Sequence, residues 1–166
     1  MPKKTLLKIF AVLAVAAIAF ASFTSLGGND KVSAESVAGL PAVTANAGEA
    51  PTITPPSGAA PATLQTQDII VGTGAEVKPT STLTVHYTLM TWSNGSIVES
   101  SWSGGQPATF PLSGVIAGWQ EGLPGAKVGG RRLLVIPPDM GYGPSGAGPI
   151  KPNETLIFAV DIIKVA

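Results

Sequence analysis

The side chains in this chain that suit binding chemistry are aromatic and branched rather than ionic. Tyr87 and Tyr142 carry hydroxyls that need partners when buried. Tyr142 sits in a Gly/Pro-rich loop, where a site residue is expected more than a packed one. Trp119 lies in the run GVIAGWQEGL, residues 114–123, just after the branched pair Val115-Ile116. Gly118 is a poor helix former, and Trp119 has more apolar surface than a short exposed helix can hide. The run therefore predicts a short helix lying on a sheet, with Trp119 as the floor of a pocket. Together with Val98, Phe110, Ile150 and Phe158, these residues describe an aromatic cup with a few hydroxyl and amide donors, the make-up of a small apolar binding site. Singly, each is also an ordinary core residue; the hydroxyls and the loop position of Tyr142 argue for a site.

Other chemistries lack parts. The chain has no cysteine and one histidine, which removes disulfides, thiolate catalysis and Cys- or His-based metal clusters. That histidine, His86, alternates with Tyr87 along a predicted strand and so points away from any pocket Tyr87 lines. The serines have no base to activate them. Glu99, Glu121 and Asp139 are scattered, with no sign of a carboxylate pair for glycoside hydrolysis. The stretch Gly141-Tyr142-Gly143-Pro144-Ser145-Gly146 matches a dinucleotide fingerprint, but that motif must open a helix. Pro144, Pro149 and Pro152 forbid one. Asn94-Gly95-Ser96 and Asn153-Glu154-Thr155 fit a glycosylation sequon, the first being better explained as a turn.

Three segments are expected to position the cup. Residues 1–24 read as an export sequence, either a cleaved signal peptide or a membrane anchor. Lys3, Lys4 and Lys8 precede an apolar run over 9–21, and Ala19-Phe20-Ala21 offers a cleavage pattern. Residues 25–62, rich in Ala, Pro and Thr and without an aromatic after Phe23, read as a disordered tether that cannot bury enough apolar surface to order itself. Residues 63–166 are the folded unit. Within it, strands are expected over 67–71, 83–89, 97–99, 131–136 and 155–165. The clearest is 83–89, where Leu83, Val85, Tyr87 and Leu89 alternate with polar residues. With turn-like connections and one short helix, the class is α+β, an antiparallel sheet packed on that helix. The balance of 10 basic and 10 acidic side chains gives no sign of a nucleic-acid partner.

Five pieces in order carry a family likeness: VHYT at 85–88, GVIAGWQEGL at 114–123, VGGRRLLVIPP at 128–138, GYG at 141–143 and NETLIFAVDI at 153–162. Together they resemble the FKBP-type peptidyl-prolyl cis-trans isomerases, through essentially all of residues 64–166. The resemblance implies a five-stranded antiparallel sheet curled around one short helix, and isomerisation of Xaa-Pro bonds without a cofactor or metal. It implies that Trp119 lies under the proline ring, flanked by Tyr87, Phe110, Val115, Ile116 and Phe158. By the same likeness the Ile116 N–H anchors a substrate carbonyl, the Tyr142 hydroxyl is a second donor, and Ile150 closes the rim. Glu99 stands where the family usually has aspartate, to polarise the site or bond to Tyr87.

The chain departs from the pattern at Val98 and Ala108, which replace aromatic walls, and at Leu89 and Met140. A wider pocket is expected, with lower activity or altered preference before proline, and Trp102 is a candidate to refill it. The implied partners are proline-containing polypeptides, with macrolide inhibitors a candidate ligand class; the expected state is a monomer that touches membrane only through an uncleaved N-terminus. Two functions follow: an exported isomerase that assists folding in the cell envelope or outside the cell, or a non-catalytic module that binds a peptide or partner with the same pocket.

Overall fold

A computed structural model describes residues 39–166. The expected export sequence, 1–24, and the first part of the expected tether lie outside the described residues. Six strands form one antiparallel sheet: β1 (Gln65–Ile70), β2 (Thr82–Thr91), β3 (Ile97–Ser100), β4 (Ala108–Pro111), β5 (Arg131–Ile136) and β6 (Leu156–Val165). The order is β1-β5-β6-β2-β3, and β4 also pairs with β2. Among the described residues there is one α-helix, α1, spanning Ala117–Gly122. The expected architecture of a curled sheet on one short helix holds, with β4 as an added strand.

β3 and β4 share one edge of β2. Thr82 to Val85 pair with β4, and Thr88 to Met90 pair with β3. Between them the Tyr87 N–H donates to the Ser101 hydroxyl at 2.9 Å, so a side chain fills the gap in the ladder. The four residues of β4 end on Pro111, which suits an edge strand because proline has no N–H to donate.

The sheet is buried on both faces. On the front, Leu83, Val85, Tyr87 and Leu89 of β2 pack with Leu134, Ile136, Phe158 and Val160 against Trp119 and Leu123. This is the alternation read from the sequence. On the back, Met90, Trp92, Leu133, Val135, Ile157 and Ala159 form a second cluster with Ile53. That explains why β5 and β6 read as continuous apolar runs: neither face is left to water.

The cover of the back face corrects the tether expected over 25–62, at least across its described part. Val43 and Ile53 form an isolated β-bridge, closed by Thr54 N–H to Ala42 O at 2.8 Å. Ile53 is 5% exposed, with Leu40 and Val43 packed beside it. Trp92 Nε1 donates to Gly58 O at 3.2 Å. The fully buried Arg131 ties this strap down, donating from Nη1 to Thr44 O at 2.7 Å and from Nη2 to Asp161 Oδ2 at 2.7 Å and Glu49 O at 2.6 Å. A segment too poor in apolar residues to build its own core thus borrows the core of the sheet. The folded unit takes in residues 40–62, ahead of the expected start at 63.

Candidate functional site

The front cluster brings every expected site residue together. Trp119, Tyr87, Phe158, Val115 and Ile150 are buried members, and Val98, Phe110, Ile116 and Tyr142 pack against them half-buried. Glu99 joins through Tyr87. Trp119 is the hub. Its ring meets Phe158 at 5.3 Å and 85°, Phe110 at 6.0 Å and 85°, and Tyr87 at 5.8 Å and 81°, all edge-to-face. This geometry sets positive ring edges against negative faces. The indole is fully buried, at 0% exposed, while Val98, Phe110, Ile116 and Tyr142 around it are half-buried.

Two tight constraints put the indole there. Gly118 lies flat against β5, where an added Cβ would come 2.5 Å from Ile136 Cγ2. Gly122 is equally close to Leu134, at 2.7 Å. Glycine at both positions lets α1 sit on the sheet at backbone distance, with Trp119 filling the space beside it. The helix is shorter than the expected 114–123, because Leu112–Gly114 forms a 3₁₀ turn and Ile116 is extended (φ −59°, ψ 151°). Ile116 O caps α1 by accepting from Trp119 N–H at 3.0 Å and Gln120 N–H at 3.2 Å. Its own N–H makes no hydrogen bond to another described residue. The Gln120 amide pins the preceding turn by donating to Val115 O at 2.7 Å.

A polar pair lies on the opposite wall. The Tyr87 hydroxyl donates to Glu99 Oε1 at 2.7 Å, while Glu99 Oε2 is buried with no partner among the described residues. Burial lifts the Glu99 carboxyl above the ordinary range, and the bond from Tyr87 acts the other way. Burial, with the hydrogen bond to Glu99 and its charge, raises the Tyr87 phenol far above its usual value. Tyr142 is pushed up to about 12, first by burial and then by the charge of Glu99. Both phenols therefore stay protonated at neutral pH and keep a hydrogen to donate.

His86 points away from this cluster, as its alternation with Tyr87 requires. Its Nδ1 lies 2.9 Å from Ser101 Oγ, and its ring stacks on Trp102 at 4.0 Å and 18°. Trp102 is thereby committed to the other side of β2 and does not refill the space beside Val98 and Ala108. Its spacing in the sequence could not show this, because the 3₁₀ turn at Ser101–Gly104 reverses the chain. Ser101 was the residue missed. A serine just after a short edge strand gives no sign that it completes a neighbouring ladder.

Known proteins agree with this geometry. The model of the FKBP-type peptidyl-prolyl cis-trans isomerase family matches residues 74–163. A probable FK506-binding protein of Corynebacterium glutamicum is 51% identical over 115 residues, covering 69% of this chain and 98% of that protein. An FK506-binding protein of Streptomyces anulatus is 43% identical over 121 residues, covering 70% of this chain and 98% of that one. Among solved structures, FkpA from Escherichia coli is similar with a TM-score of 0.58 at 40% identity. That match takes in 61% of this chain and 47% of the longer FkpA chain. With its sheet, helix and aromatic cluster arranged as described, the chain belongs to the FKBP-type peptidyl-prolyl cis-trans isomerase family.

Proposed function

We propose that the chain is exported and catalyses rotation about Xaa-Pro bonds at the rim of the aromatic cluster, assisting protein folding in the cell envelope or outside the cell. The observation that carries the site is the N–H of Ile116, which bonds to no other described residue, beside the aromatic cluster centred on Trp119. Rotation about an amide costs ~18–20 kcal/mol because resonance is lost along the way. At an Xaa-Pro bond, cis and trans are close in energy but still exchange slowly. No bond is broken, so groups that bind the twisted amide better than the planar one suffice.

The residues divide that work. The proline ring packs on the apolar rim of Phe110, Val115 and Ile116, above Trp119 and Phe158. The half-buried side chains Val98, Phe110, Ile116 and Tyr142 frame the ring, and Ile150 closes the rim. Displacing water there disfavours the charge-separated planar amide relative to the twisted one. The Ile116 N–H holds one substrate carbonyl, and the Tyr142 hydroxyl donates to the substrate backbone. Tyr87 fixes Glu99, whose second oxygen faces the site as an acceptor. Export is supported by the basic start and the apolar run over 9–21.

Cis/trans exchange of a short Xaa-Pro peptide tests the reading. The chain should accelerate exchange at micromolar concentration, and Tyr142→Phe should lower kcat/KM by roughly twofold to tenfold, the worth of one neutral hydrogen bond. No acceleration by the folded protein sinks the enzyme and leaves the peptide-binding module. Sequencing the N-terminus of secreted protein tests export: a start at Ser22 marks cleavage, and an intact Met1 marks an anchor.

A further inference from the structure

Beside the aromatic cluster, two hollows lie along the seam between the β2–β3 turn and residues 149–155. The nearer, of about 260 Å³, is walled by Ile97, Val98, Pro149 and Lys151. The farther, of about 320 Å³, is walled by Trp92, Ser93 and Pro152 and reaches Ala60 at the end of the strap. Lys151 and Glu154 line both, so the two hollows adjoin across these side chains and together form a groove. Its near end adjoins the candidate site. Val98 belongs to both, and buried Ile150 stands between Pro149 and Lys151.

Three features say what the groove holds. Ile97, Val98 and Pro149 give the near hollow an apolar side among polar residues of the turn, and Ile97 is 51% exposed at the first position of β3, one of few large apolar side chains left in water among the described residues. β3 lies at the edge of the sheet, with β2 on one side and no strand on the other, so an extended chain can run alongside it. Glu154, the buried charged residue lining these hollows, is already matched: Ser93 N–H donates to Oε1 at 2.9 Å and Ser93 Oγ to Oε2 at 2.7 Å. An apolar occupant therefore leaves no buried anion unpaired.

We propose that this groove takes the continuation of the substrate chain, with a large apolar side chain seated on Ile97, Val98 and Pro149, at least two residues from the isomerised proline. An extended chain advances about 3.3 Å per residue, so the immediate neighbour of proline stays at the rim and a more distant residue reaches the groove. This rests on the isomerase reading of the cluster and adds a preference to it. Short proline peptides would be incomplete substrates.

The test uses nine-residue Xaa-Pro peptides with proline at the centre, in which leucine or serine occupies, in turn, each position two to four residues on either side of proline. With the intact chain, leucine should raise kcat/KM over serine at one position by roughly threefold to tenfold, the worth of partly burying one apolar side chain. In Ile97→Ser that leucine-to-serine ratio should fall toward one. Amide chemical shifts of Ile97 and Lys151 should move with the leucine peptide and not with a four-residue proline peptide. A ratio near one at every position, a ratio unchanged in Ile97→Ser, or unmoved shifts each overturns the groove. Absence of all isomerisation would instead overturn the enzyme, and the shifts would still decide the groove.

Discussion

Replacing Arg131 with methionine should cost far more than its place at the end of a strand suggests. The guanidinium is fully buried and its partner Asp161 is only 7% exposed. Arginine Nε and Nη2 both donate to the Asp161 carboxylate, while Nη1 and Nη2 also serve Thr44 O, Asn46 Oδ1 and Glu49 O. Methionine fills part of the space and removes every donor. A buried carboxylate is left without its counter-charge, and breaking such a pair costs about 3–5 kcal/mol. For a folded unit of this size that is a fall in Tm on the order of 10–20 °C. Thermal and urea unfolding followed by tryptophan fluorescence would measure it. Adding Asp161→Asn to Arg131→Met should recover part of the loss, because the stranded anion is gone; the double-mutant cycle isolates this coupling. A loss below about 1 kcal/mol, the scale of an exposed pair, would refute the claim that the strap is locked through a buried charge.

Other changes probe the front of the sheet. Gly118→Ala should destabilise by about 1–3 kcal/mol, since its methyl group meets Ile136 and the helix must lift; an unchanged unfolding midpoint would contradict that. Trp119→Ala should cost about 3–5 kcal/mol in the same assay, because the hub of the cluster becomes a cavity. Tyr87→Phe removes the hydrogen bond that favours the Glu99 carboxylate, so the Glu99 pKa, already raised, should rise further in a carboxyl titration followed by NMR. The sign for stability follows: a raised carboxyl contributes fully below the ordinary carboxylate pKa and loses that contribution as pH rises through the folded value. In Tyr87→Phe this loss should come at higher pH than in the parent.

Much of the front face was legible because one physical rule governs it. Leu83, Val85, Tyr87 and Leu89 alternate with polar residues, and a period of two admits one buried face. The glycines on either side of Trp119 likewise announced a close helix–sheet contact. The back face was harder. Leu133, Val135, Ile157 and Ala159 stand where a half-solvated sheet would carry polar residues, so the sequence did call for a second cover. What it could not name was the cover, because residues 40–58 have no periodicity and rely on main-chain carbonyls that every sequence possesses. Arg131 was the trace left in the sequence, a charge opening an apolar strand. β4 was missed for a related reason: four residues ending in proline are too few to show a period. The convergence of Val98, Phe110 and Ile150 on Trp119 came from family likeness, since their spacing alone does not bring them together.

The hydroxyl that fills the gap between β3 and β4 makes the middle of β2 different from its ends. At Tyr87 the main chain is held on that edge by Ser101 Oγ, a group on a short turn rather than on a strand. Local opening needs only that turn to swing away, while the pairing of β2 with β6 stays intact. The residue that positions Glu99 therefore sits at a point where the sheet can breathe without unfolding. Amide protons along β2 should accordingly exchange with solvent in an uneven order, with Tyr87 yielding before its neighbours on either side.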